Sequence, residues 1–173
     1  MSIETLSSNI SKHILSVELC LEHNLRMPAL ILIYSGIDIL ATLARPEEKD
    51  IGSRADFKRW CDKYLLPESE LNCTAIDLYA ARCGILHSYT AESQLSKKLE
   101  ANELVYAWGS SRPESLQEII DCCGLSEKVI HIEQLFLAFK SSIVRFLEDL
   151  HDSNFPIEVI EKRARKFFMD RPS

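Results

Sequence analysis

Residues 78–88 read LYAARCGILHS, and they place Arg82 and His87 on an otherwise apolar segment of mostly small residues. Apolar side chains recur every three or four positions over residues 69–88, as they do on the buried face of a helix. The pattern therefore predicts a helix that carries an arginine and a histidine close to its C-terminal end. The remainder of the chain is predicted to consist mainly of helices that support this segment and leave one side of it open.

Composition limits the classes of protein that fit this sequence. The chain has 173 residues, 46% of them hydrophobic and 27% charged, which is typical of one soluble globular domain. A net charge of -6 excludes a uniformly basic nucleic-acid-binding surface but permits a local basic patch. The N-terminus has no apolar signal core, and the apolar run over residues 29–44 is short and interrupted by polar residues. We therefore predict a cytoplasmic protein without a membrane partner.

The cysteines do not indicate a metal site or a disulfide framework. The chain has six cysteines, and none of them shows the C-x-x-C spacing of zinc ligands. In a reducing compartment such residues act most simply as small apolar side chains. The sequence also contains no glycine-rich phosphate loop, so we predict neither a metal nor a cofactor.

The periodicity of the remaining sequence predicts an all-α fold, an up-and-down bundle of four to five helices. Helices are predicted over residues 7–25, 27–44, 53–64, 69–88, 113–123, 133–150 and 157–169. Short runs of strand-forming residues at 103–108 and 128–132 predict a two-stranded antiparallel ribbon. We expect a single domain over residues 1–173, with the core bundle at 7–150 and a C-terminal basic helix at 156–169.

The second predicted helix is apolar on almost every side and contains one carboxylate, Asp38. A buried carboxylate needs a hydrogen-bonding or cationic partner. Asp38 either lies at the edge of the bundle and reaches water, or it pairs with a buried base, for which Arg82 is the leading candidate. Ser35 lies one turn before Asp38 and can share its face of the helix.

Gly84 interrupts the helix that carries Arg82 and His87. A glycine inside a helix costs about 1 kcal/mol relative to alanine, so a compensating contact is expected. Gly84 belongs to a row of mostly small residues, which favours close approach of another backbone. That backbone belongs either to a neighbouring helix or to a second subunit.

The C-terminal helix carries a local positive charge in an acidic chain. Residues 161–171 contain five basic and two acidic side chains. Two interpretations are open: an RNA-contacting patch, or a basic last turn that complements the helix dipole. The basic residues concerned are Lys162, Arg163, Arg165 and Lys166.

Arg82 and His87 are a suitable pair for phosphodiester chemistry without a metal. A guanidinium neutralises and holds a phosphate, and an imidazole exchanges a proton near neutral pH. Five residues along a helix correspond to a rotation of about 140°, so the two side chains do not share one stripe. Two copies of the helix crossing near Gly84 would bring the arginine of one chain to the histidine of the other. The alternative is a structural, salt-bridged arginine and a helix-terminal histidine.

An arginine, four residues and a histidine near a helix end, following a helix that contains YSGIDIL, resemble the HEPN superfamily. The resemblance covers residues 7–150. It implies a homodimer in which the Arg–His motifs of both subunits face one another. Many members are metal-independent endoribonucleases of toxin or defence type that leave a 2′,3′-cyclic phosphate. Others are inactive modules for dimerisation or for binding RNA or a partner protein.

The resemblance implies a role for each candidate residue. Arg82 would hold the phosphate and His87 would act as general acid or base, with Asp38 and Ser35 in support. Gly84 and Cys83 would lie at the dimer interface, although many nuclease members have a polar residue where this chain has Cys83. The expected partners are a second copy of the chain, an RNA substrate and a cognate antitoxin or operon partner.

Overall fold

A computed structural model describes residues 3–46, 52–88, 100–152 and 157–167. These residues form seven α-helices and two short strands, so the prediction of a mainly helical chain is confirmed. A π-helical turn, Cys61–Leu65, extends the third helix. In chain order the elements are α1 (Ile3–Glu22), α2 (Arg26–Leu43), α3 (Arg54–Trp60), α4 (Ala75–Ser88), β1 (Leu104–Ala107), α5 (Pro113–Cys122), β2 (Lys128–His131), α6 (Ile132–His151) and α7 (Ile157–Phe167).

Helix α2 lies at the centre of the fold. It packs against α1, α3, α4, α6 and α7, which explains why its sequence is apolar on nearly every side. Asn24 takes a left-handed conformation, with φ of 58°, in the three-residue turn that separates α1 from α2. Burial of the apolar side chains of α2 and its neighbours supplies the main favourable term for folding.

Gly36 on α2 permits the close packing of α1 and α6 on either side of it. A Cβ atom at this position would lie 2.5 Å from Cζ of Phe139 and 2.8 Å from Nε2 of His13. The His13 Nε2 atom is also 2.8 Å from the carbonyl oxygen of Leu32. A larger residue at position 36 would therefore separate three helices.

The helix that carries Arg82 begins at Ala75, six residues later than predicted. Thr74 and Asp77 form a reciprocal cap at this point. The backbone N–H and hydroxyl of Thr74 donate to Oδ2 of Asp77 at 2.9 and 2.6 Å, and the Asp77 N–H faces Oγ1 of Thr74 at 3.4 Å. Because these bonds satisfy the first helical turn, they fix the start of α4.

The two-stranded sheet is parallel, so the predicted antiparallel ribbon is wrong in direction. Residue pairing runs from Leu104 opposite Lys128 to Ala107 opposite His131. The strands are joined through α5, and a helical crossover returns the chain to the same end of a sheet. The sheet is tied to the centre of the fold by the hydroxyls of Tyr34 and Tyr106, which are 2.7 Å apart.

Among the described helices, α2 alone has the length and apolar composition needed to cross a membrane. Half of the residues in this helix are buried inside the chain. The core helix of a soluble protein has the same properties, and the contacts of α2 with five other helices are consistent with that role.

Candidate functional site

Arg82 on α4 forms an ion pair with Asp38 on α2, which was one of the two interpretations of Asp38 that the sequence left open. The distance from Nε of Arg82 to Oδ2 of Asp38 is 2.6 Å. The pair is not sealed in the core, because the Arg82 side chain is 23% exposed and that of Asp38 is 28% exposed. Both sequence interpretations of Asp38 therefore apply in part: it lies at the edge of the bundle and it holds the arginine.

The ion pair stabilises the charged form of the guanidinium. Burial by itself lowers the pKa of Arg82, but the adjacent Asp38 carboxylate outweighs it and the pKa is raised above its usual value. The hydrogen bond to Asp38 also restrains the orientation of the guanidinium. A fixed and permanently charged group of this kind is suited to holding an anion.

Arg82 and Asp38 line a cleft of about 340 Å³ between α2, α3 and α4. The cleft also contains Arg54 and Tyr79, and the guanidinium carbons of Arg54 and Arg82 lie 5.9 and 6.0 Å from the Tyr79 ring centroid. Each distance is at the outer limit of a cation–π contact. The complete lining consists of Asp38, Ile39, Ala41, Thr42, Gly52, Ser53, Arg54, Asp56, Phe57, Tyr79 and Arg82.

Sequence reasoning missed the contribution of Arg54 and Tyr79 to this cleft. Ser53 caps α3 through a capping box with Asp56, and Arg54 is the next residue in the helix. The capping pattern was legible in the sequence. It did not reveal that α3 would turn Arg54 toward the same cleft as Arg82.

The second predicted catalytic residue, His87, follows Arg82 by five residues on the same helix. That spacing corresponds to a rise of about 7.5 Å along the axis. The position of the His87 side chain lies outside what the structure describes. Ser35, the second supporting residue, is half-buried one turn before Asp38, and no hydrogen bond from its side chain is seen within the described residues.

The residues predicted for a dimer interface lie on the same helix. Gly84 is buried within the single chain, whereas Cys83 is half-buried. The Nη1 atom of Arg82 lies 3.9 Å from Sγ of Cys83, so the thiol also borders the guanidinium.

The four basic residues predicted on the C-terminal helix are not equivalent. Arg163 is only 7% exposed and donates to the carbonyl oxygens of Leu43, Arg45 and Pro46 at 3.1, 2.6 and 2.8 Å. It therefore fastens α7 to the C-terminal end of α2, where a cation is favourable. Lys162 is exposed. The side chains of Arg165 and Lys166 lie outside the described residues.

The described residues contain no group of three or more His, Cys, Asp or Glu side chains arranged to hold a metal ion. Together, the fold and the cleft define a mainly α-helical protein with a small βαβ unit and an arginine-containing cleft between three helices. No model of a known protein family matches the chain, and no similar curated protein or solved structure was found.

Proposed function

We propose that the chain is a HEPN-like homodimeric, metal-independent endoribonuclease of toxin or defence type that acts in the cytoplasm. The observation that carries the proposal is the Arg82–Asp38 ion pair at an open cleft, five residues before His87 on the same helix. Part of the Arg82 guanidinium therefore stays open to a ligand in the cleft.

In the proposed reaction the RNA supplies its own nucleophile. The ribose 2′-hydroxyl attacks the adjacent phosphorus, the bond to the 5′-oxygen breaks, and a 2′,3′-cyclic phosphate and a 5′-hydroxyl result. Arg82 neutralises the charge that develops on the non-bridging oxygens, and Asp38 positions the guanidinium. The His87 imidazole takes the proton from the 2′-hydroxyl or gives one to the leaving oxygen.

Arg54 and Tyr79 give the cleft features suited to an RNA strand. Arg54 brings a second guanidinium to the wall that contains Arg82. Tyr79 is half-buried, and the guanidinium carbons of Arg54 and Arg82 lie 5.9 and 6.0 Å from its ring centroid. A cation and an aromatic ring side by side can bind the phosphate and the base of one nucleotide.

The test is cleavage of total cellular RNA in EDTA by the wild-type protein, Arg82→Ala and His87→Ala. We expect the wild type to yield 2′,3′-cyclic phosphate ends and each variant to lose at least about 100-fold in rate, as a proton-transfer or charge-stabilising group should. Exposed residues outside the cleft supply matched controls, Arg112→Ala and His23→Ala, which should cut at the wild-type rate. Cleavage by wild type that persists in both site variants would contradict the proposal.

The alternative function is a catalytically inactive dimerisation or adaptor module that binds RNA or a partner protein. It is favoured by exposed apolar side chains on two neighbouring helices, Leu15 and Leu19 on α1 and Leu137 and Val144 on α6. The ion pair between Lys140 and Glu18, 3.3 Å long, joins these two helices. A wild-type protein that cuts no RNA between about pH 5 and pH 9, across the titration range of histidine, would favour this function.

A further inference from the structure

A second cavity, of about 220 Å³, lies between the C-terminal end of α2, helix α3 and the π-helical turn. It is adjacent to the Arg82 cleft, because Ala41 and Asp56 line both. Turns of π-helix are rare and occur frequently at functional sites. The cavity is lined by Ala41, Ala44, Arg45, Pro46, Asp56, Arg59, Trp60, Lys63 and Tyr64.

Two side chains that line the cavity contain buried hydrogen-bond donors for which the described residues supply no acceptor. The Nε1 atom of Trp60 and the Nε atom of Arg45 are buried, and neither has a hydrogen-bond partner among the described residues. Trp60 as a whole is 2% exposed. An unsatisfied buried N–H group costs about 1–3 kcal/mol, so two beside one cavity form an unusual arrangement. Both groups can only donate, and the missing partner must therefore be an acceptor.

The charge around the cavity is positive. Its lining includes the cationic side chains Arg45, Arg59 and Lys63 and a single carboxylate, Asp56, and Lys63 is paired with Asp149 on α6 outside the lining. That carboxylate already accepts hydrogen bonds from Ser53 and from Arg59. The missing acceptor is thus expected to bring negative charge with it, because an anion gains from the surrounding cations.

We propose that this cavity is an oxyanion-binding site. The ligand is a small carboxylate or phosphate whose oxygens accept from Trp60 Nε1 and Arg45 Nε. The same chemistry is available from two sources, a free anion or a phosphate of a bound nucleic-acid strand. The site does not depend on RNA cleavage, since its donors and charges are separate from Arg82 and His87.

Binding can be followed at the proposed donor itself. The protein has two tryptophans, and a Trp108→Phe variant assigns the indole N–H signals in a ¹⁵N-labelled sample. We expect sodium benzoate or sodium phosphate, added at constant ionic strength, to shift the Trp60 indole signal saturably and to leave that of Trp108 in place. Benzamide, which has the shape of benzoate without its charge, should produce no shift.

Two variants change the cavity in different ways. Arg45→Met removes one donor and its charge, and Ala44→Leu fills part of the space. Each should weaken benzoate or phosphate binding at least about tenfold, the loss expected for a charged hydrogen bond. The exposed residue Arg112, changed to Met, supplies the matched control and should bind as the wild type does.

A DNA oligonucleotide, which lacks the 2′-hydroxyl and resists cleavage, distinguishes the two sources. If the oligonucleotide alone shifts the Trp60 signal, the site binds the phosphate of a strand; if benzoate or inorganic phosphate shifts it, the site binds free anions. No saturable shift with any of these ligands, or equal affinity in Arg45→Met and the wild type, would overturn the proposal.

Discussion

Helix α4 takes part in two carboxylate contacts of opposite character. One is made by Asp77 in its own first turn, and the other by Asp38 of α2, which pairs with Arg82. Asp77 is 1% exposed and accepts from the backbone N–H groups of Thr74 and Asn102 at 2.9 and 2.7 Å. Asp38 is 28% exposed in its side chain and binds Arg82 at the wall of an open cleft. The first contact faces only the protein, whereas the second faces a space that a ligand can enter.

This difference separates a structural carboxylate from a positioning one. The Asp77 carboxylate joins the start of α4 to Asn102, two residues before β1, and its acceptor sites are used inside the fold. The Asp38 carboxylate restrains a guanidinium that remains accessible. Stability should therefore depend on Asp77, and activity on Asp38 and Arg82.

The largest effect on stability is expected from Asp77→Ala. The substitution leaves the partly buried N–H of Asn102 without its acceptor and removes the cap of α4. We expect a loss of about 3 kcal/mol in the free energy of unfolding, measured by urea denaturation. Asp38→Ala is the matched control and should cost about 1 kcal/mol, because water can reach Arg82 through the cleft. Equal losses in the two variants would remove the distinction between the two carboxylates.

A smaller effect is expected at a third carboxylate, Asp149 on α6, which binds Lys63 and the hydroxyl of Tyr64 on the π-helical turn. The hydrogen bond from Lys63, followed by that from Tyr64, lowers the pKa of Asp149 below its ordinary value. A lowered pKa in the folded state means that the carboxylate stabilises the fold above the unfolded pKa, about 4. This contribution is lost as pH falls through the folded pKa.

The Asp149→Asn variant isolates the contribution of this carboxylate to the free energy of unfolding. The free-energy difference between wild type and variant, from urea denaturation, should be constant between about pH 5 and pH 8 and shrink below pH 4. It should stay under about 1 kcal/mol, since the pair is partly exposed. A difference that grows on acidification would show that the carboxylate does not stabilise the fold through these bonds.

The Asp38–Arg82 pair was one of two interpretations of the sequence, because an isolated carboxylate in an apolar helix requires either water or a partner, and Arg82 was the leading candidate. The cap at Thr74 and Asp77 was also legible, since a threonine followed three residues later by an acidic residue is a capping pattern. The apolar period begins earlier than this cap, and it placed the predicted start of the helix at residue 69. The bond from Asp77 to Asn102 was not legible, because 25 residues separate them and only the tertiary fold brings them together.

Neither the direction of the strands nor the burial of Arg163 could be predicted from the sequence. Two short strand-forming runs do not reveal whether the helix between them returns the chain to the same end of the sheet. A basic helix likewise shows an excess of positive charge without showing which side chain turns inward. Arg163 is buried because the carbonyl oxygens at the end of α2 lie beneath it.

Complementation between two inactive variants tests the central claim, a composite site that takes Arg82 from one subunit and His87 from the other. Arg82→Ala and His87→Ala chains are mixed after denaturation and refolded together, and RNA cleavage is measured in EDTA. Random pairing makes half of the dimers mixed, each with one intact composite site, so about a quarter of the wild-type activity should return. If the mixture stays as inactive as either variant alone while the refolded wild type cuts RNA, the composite site is contradicted.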